Sequence, residues 1–177
     1  YVQEGTKVID GVKYPIVNEN RKDPVPLEIT FSHELIHSLN VANGKVDFSP
    51  VYQLYVDKNT DKLTYLGQNV SVDVPSSLKT ASDDQIRAYL DSVMPGISSP
   101  KNGVKVKEMI LSNFKQEIIS QPINPNGSNI NVTIKIPRVT AQEEVDTVGT
   151  RDKNKPGNLT ENEIRKENGV VPVRPLY

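Results

Sequence analysis

The chain has 177 residues, 21 basic against 22 acidic, 36 % hydrophobic and 6 % aromatic, with 13 Pro, 10 Gly and no Cys or Trp. That length suits one domain with a single core, or one domain carrying an elaborated insertion. A formal charge of −1 gives no basic footprint for nucleic acid, and without Cys there are no disulfides, thiolate metal sites, Fe–S clusters or cysteine nucleophiles.

Residues 1–26 read as polar and turn-rich, with extended stretches at Lys7–Ile9 and Val12–Val17. Pro24-Val25-Pro26 holds the backbone extended, because a residue before proline is pushed out of the helical region. From Leu27 to Val41, apolar residues at 31, 35 and 39, with 36 alongside, predict a buried helix with Leu35 and Ile36 pointing into the core. Asn43-Gly44 is its expected stop. Val51–Val56 and Leu63–Leu66 predict strands flanking a polar turn at Asp57–Lys62, and Val70, Val72 and Val74 alternate as a half-buried strand. Ser82-Asp83-Asp84-Gln85 is a capping box opening a helix to about Val93, closed by Pro95-Gly96. A second helix is expected from Val104 to Ile119. Ile130, Val132, Ile134 and Ile136 alternate strictly as a strand. A short helix follows over Ala141–Val148, broken by Gly149. Thr160-Glu161-Asn162-Glu163 is a second capping box, before a helix stopped at Gly169. Pro122–Asn129 and Arg151–Asn158 read as polar loops. Strands and helices interleaved without βαβ regularity predict an α+β fold.

No apolar run approaches the ~20 residues that span a bilayer. Residue 1 is Tyr, and we expect the sequence to be a domain excised from a longer protein.

Both histidines of the chain fall in one short segment, His33-Glu34-Leu35-Ile36-His37. Residues i and i+4 of a helix project from one face, so two imidazoles at that spacing converge on one Zn²⁺. Glu34 sits on the adjacent edge of that face, where it can take a proton from water at the ion. A catalytic zinc usually has a third protein ligand. With no third His and no Cys, that ligand must be Asp or Glu. Glu143-Glu144 stands out, because neighbouring carboxylates supply one ligand and one acceptor for a histidine N–H; the alternative is a solvated acidic helix face.

His33-Glu34-Leu35-Ile36-His37, then Glu143-Glu144-Val145-Asp146-Thr147-Val148-Gly149, then Arg174-Pro175-Leu176-Tyr177 resemble, in order, the zinc-site motifs of clostridial neurotoxin light chains. With Leu159–Arg165 and Gly169 added, the chain looks more like the NleD-like effector metallopeptidases, bacterial proteins of gluzincin type delivered into host cells. The resemblance covers residues 27–43 and 141–177. It implies a zincin-like domain over 1–177, with the active-site helix packed on a mixed β-sheet. Glu144 would be the third zinc ligand, Glu143 would orient a ligating histidine, and Arg174 and Tyr177 would stabilise the oxyanion. It further implies a protein substrate in a host cell, and a secreted or translocated protein. The gap between His37 and Glu144 is longer than is usual in these families, so residues 45–140 are expected to be an inserted module of hairpin plus helices. Asn162 and Arg165 match the pattern and are expected to pack or support.

The expected function is therefore zinc-dependent peptide-bond hydrolysis with Glu34 as general base. Two rivals are a binding module on a zincin scaffold with structural or lost zinc, and a hydrolase of a non-peptide amide. Peptide addition to the edge of the strand at Ile130–Ile136 or Val70–Val74 would position a substrate, unless those strands lie inside a sheet.

Overall fold

A computed structural model of the chain describes residues 1–22, 25–94, 97, 103–122, 129–149, 159–169, 174 and 175. The expected helix stop at Pro95-Gly96, the loops at 122–129 and 151–158, and Tyr177 lie wholly or largely outside these residues. The chain divides into two units, Tyr1–Thr64 with Val139–Tyr177, and Tyr65–Arg138. Helices and several separate sheets make the fold α+β.

The first unit opens on a hairpin. Asp10 and Gly11 both take left-handed angles, φ 52° and 76°, the geometry a two-residue Asp-Gly turn needs to match the strand twist. It joins β1 (Val2–Ile9) to β2 (Val12–Asn18), antiparallel with Ile9 opposite Val12. The two extended stretches read from the sequence are thus halves of one hairpin. β2 also pairs in parallel with β4 (Leu54–Asp57), and β5 (Leu63–Tyr65) completes the order β1-β2-β4-β5. One antiparallel and one parallel neighbour for β2 make this sheet mixed. Val17, Tyr55 and Val56 are fully buried in it. Between β4 and β5, the Asp57 carboxylate accepts from Asn59 N–H, closing the polar turn expected there.

The single strand expected over Val51–Val56 is two. β3 (Pro50–Tyr52) pairs antiparallel with β8 (Val139–Ala141), and β4 joins the other sheet. Every residue from Val51 to Val56 is buried. No alternating face marks the point, at Gln53, where the segment changes partners.

Helix α1 (Leu27–Ala42) starts directly after Pro26, whose carbonyl accepts from Ile29 and Thr30 N–H, and ends at Asn43 with Gly44 left-handed. Its orientation corrects the expectation from apolar spacing. Phe31, Leu35 and Leu39 are exposed, Leu35 by 53 %, while Ile29, His33 and Ile36 are buried. Both ladders have helical spacing, but only the one carrying histidine finds buried partners, on α4 (Gln142–Val148) and α5 (Glu161–Glu167). These two helices, rather than a sheet, are the principal neighbours of α1. α4 has no side-chain cap; Ser49 and Asp47 carbonyls accept from Gln142 and Glu143 N–H instead, at 2.9 and 2.8 Å. It ends at Gly149, left-handed at φ 73°. Thr160 Oγ1 caps α5 by accepting from Glu163 N–H.

The second unit is built on β6 (Gly67–Pro75) and β7 (Asn129–Pro137), antiparallel from Gly67 opposite Pro137 to Pro75 opposite Asn129. The two alternating runs read from the sequence are therefore each other's partners in a two-stranded sheet. A short 3-10 turn, Ser76–Thr80, leads to α2 (Asp83–Val93), whose capping box at Ser82 and Gln85 is fully formed. α3 (Gly103–Ser120) lays Val106, Ile110, Phe114 and Ile118 in the core and packs on β7. No helix among the described residues is long and apolar enough to cross a membrane.

Candidate metal centre

The buried ladder of α1 brings the two imidazoles to the same point. His33 Nε2 and His37 Nε2 face each other at 2.8 Å, and Glu144 Oε2 lies 3.5 Å from the first and 3.3 Å from the second. These three residues are the group able to hold a metal ion among the described residues. Bonds of ~2.0–2.1 Å in tetrahedral arrangement set ligand atoms roughly 3.3 Å apart, so the carboxylate legs already fit, and the imidazole pair has to open slightly.

The other nitrogen of each ring is committed. His37 Nδ1 is 2.6 Å from Glu143 Oε1, and His33 Nδ1 is 2.9 Å from Glu161 Oε2. A carboxylate can only accept here, so each Nδ1 carries a proton, and in neutral rings each Nε2 turns a lone pair toward the other ring. Two facing lone pairs call for a cation between them. Glu144 Oε2 adds a third lone-pair donor: it is shut off from solvent and has no hydrogen-bond partner. The residues present thus fit a divalent ion. A site of two imidazoles and one carboxylate is a His-His-Glu metal site whose ion the donors alone do not name.

Behind each histidine stands a chain of supporting groups. Thr147, one helical turn after Glu143, donates to Glu143 Oε1 at 3.1 Å, and Asn40 Nδ2 donates to Thr147 Oγ1 at 3.3 Å. The bond path therefore runs from α1 through α4 and back to the His37 ring. On the other side, Glu161 is 1 % exposed and fully engaged. Its Oε1 accepts from Arg165 Nε at 2.7 Å; its Oε2 accepts from His33 Nδ1 and, at 3.1 Å, from Arg174 Nη1. Burial pushes the Glu161 carboxyl up, but the bonds from His33 and Arg165 and the charges of both arginines outweigh that and hold it at about 2. In turn the bond to Glu161 raises His33 above its ordinary value, against a downward push from burial.

Of the residues singled out from sequence, His33, His37 and Glu144 converge, and Glu143 sits on His37. Glu34 is exposed on α1, next to His33. Arg174 is partly exposed and joined to Glu161, and Tyr177 lies outside the described residues. Sequence spacing gives Glu161 only a place in a capping box and Thr147 only a place in a motif. Their supporting contacts arise from how α4 and α5 pack on α1. One signal for Glu161 was present: Arg165 follows it at i+4, a partner for a carboxylate that has to be buried. Comparison with protein-family models, with curated proteins and with solved structures finds no match for this chain.

Proposed function

We propose that the chain is a zinc-dependent endopeptidase of zincin-like fold, acting on a protein substrate. The observation that carries this reading is the convergence of His33 Nε2, His37 Nε2 and Glu144 Oε2, which has no hydrogen-bond partner, with Glu34 exposed and next to His33 in the chain. Two imidazoles and a carboxylate are the protein donor set of catalytic zinc sites that keep a position for water. A bound zinc ion would supply Lewis acidity, making water acidic enough to give up a proton near neutral pH and polarising a carbonyl.

The remaining work falls to the chain's own side chains. Glu34, exposed on α1, accepts the proton of the attacking water and later delivers one to the leaving amine. Glu143 and Glu161 engage the two Nδ1 atoms, which would leave both Nε2 atoms for the ion. Arg174, half-buried on Glu161, is the cationic donor for the oxyanion that develops on the scissile carbonyl. Its contribution is largest where charge builds up. Tyr177 supplies a second donor in this reading. The order of the motifs, shared with effector metallopeptidases, extends the proposal to a host-cell protein as substrate and to a secreted or translocated enzyme.

Glu34→Gln is the decisive variant. It is expected to retain the metal, measured by elemental analysis of the purified protein, and to lose cleavage of mixed host-cell protein. An amide cannot serve as the base. Undiminished cleavage by Glu34→Gln would remove Glu34 from that role, and a wild type that binds zinc yet cuts nothing would favour the binding-module alternative.

A further inference from the structure

Asn162 lies on α5 beside Glu161 and is 2 % exposed. Its side chain makes three bonds to backbone, none of them within its own helix. Oδ1 accepts from the Arg174 N–H at 2.7 Å, and Nδ2 donates to the Arg174 carbonyl at 2.9 Å and to the Gly149 carbonyl at 3.4 Å. One amide thus satisfies both main-chain polar groups of Arg174, as a neighbouring strand would, and ties them to the left-handed residue that ends α4.

The juxtaposition is specific. Glu161 fixes the Arg174 guanidinium, and the next residue fixes the Arg174 backbone. α4 carries Glu144, α5 carries Glu161, and Arg174 comes from a separate segment; the Asn162 side chain touches the end of the first and the backbone of the third. A buried side chain bonded to both main-chain polar groups of one residue leaves that residue little freedom. A donor held in advance at the place where charge develops is worth far more than one that must be ordered during the reaction.

We infer that Asn162 is a positioning residue, which sets the location of the Arg174 guanidinium by clamping its main chain to α5 and to the end of α4. It touches neither metal nor substrate and acts through Arg174. The kinetic part of this inference rests on the peptidase reading; the clamp itself does not.

The test uses the zinc-loaded full chain and two kinds of readout. Amide exchange followed by NMR reports the clamp directly. Arg174 N–H is expected to be protected in the wild type and to exchange about tenfold faster or more in Asn162→Ala, the size expected for one lost bond. Asn162→Asp keeps the acceptor and the volume but loses both donated bonds, so it is expected to retain part of the protection, and it serves if Asn162→Ala does not fold. In cleavage assays, Asn162→Ala is expected to lower kcat by about ten- to a hundredfold with a smaller change in KM and unchanged zinc content. Combined with Arg174→Ala, it is expected to add nothing further. An Arg174 amide that is unprotected in the wild type, or still protected in Asn162→Ala, overturns the clamp. Multiplying rather than overlapping rate losses in the double variant overturn the action through Arg174. Protection with no cleavage by the wild type keeps the clamp and discards the peptidase reading.

Discussion

His33 and His37 present their Nε2 atoms to each other at 2.8 Å while their Nδ1 atoms are held by different carboxylates on different helices, Glu161 of α5 and Glu143 of α4. The pair is oriented from behind, so neither ring can turn away without breaking a bond to a buried carboxylate. An ion held by this pair would then depend on residues that never touch it.

The first prediction concerns that dependence. Glu143→Ala is expected to weaken zinc binding by ~10–100-fold, the usual effect of removing the acceptor of a ligating imidazole. Glu144→Gln should be worse, since it removes a ligand outright. Competition with a fluorescent zinc chelator measures both, and equal affinities in the two variants would argue against Glu144 as a ligand.

A second prediction follows from the Thr147 hydroxyl. Thr147→Val removes the bond to Glu143 and takes from the part-buried Asn40 amide its acceptor, at a cost of about 1 kcal/mol. Chemical denaturation should register that loss, and zinc affinity should fall less than in Glu143→Ala.

The third concerns pH. Glu161 is held at about 2, below its ordinary 4.5, so the stability it contributes is present above 4.5 and is lost as pH falls from there toward 2. Metal-free protein should therefore melt at falling temperatures across that window, and Glu161→Gln should flatten this part of the curve. His33 shifts the other way. Raised above 6.5, it keeps its proton to a higher pH, and the metal must displace that proton. Zinc affinity should still be rising as pH passes 6.5, which titration at stepped pH will follow.

A fourth prediction separates the two units. Ser82→Ala removes the side-chain cap of α2 and should cost about 1 kcal/mol of stability with zinc affinity unchanged, because Ser82 and Gln85 belong to the unit without the metal ligands. A zinc affinity that moved with this cap would tie the two units together.

These cases mark what could be read from the chain before its fold. A spacing of four residues fixes the angle between two side chains on any helix, so His33 and His37 were legible at once. Capping boxes and strict alternation are likewise local, which is why α2 and β7 lie where the sequence predicts them. Burial of a helix face is not local. The ladder of Phe31, Leu35 and Leu39 is the more apolar of the two on α1, yet it is the exposed one. The opposite ladder carries two imidazoles whose polar atoms are satisfied only against the carboxylates of α4 and α5. The contact of Glu161 with His33 was hidden for the same reason: that ring lies on α1, far along the chain.

The return of the chain at the base of the second unit has a consequence of its own. Arg138 N–H donates to the Leu66 carbonyl at 2.6 Å, and Gly67 lies opposite Pro137, so the excursion departs and comes back at nearly one spot. There is no room for a side chain at that crossing: a Cβ on Gly67 would lie 2.2 Å from the Ile136 carbonyl oxygen. Bringing the ends of a flexible segment together costs entropy that grows slowly with its length, and here the ladder itself holds them together. Residues 66–138 thus leave and return at adjacent backbone positions, so a short glycine-rich bridge can span the gap in their stead.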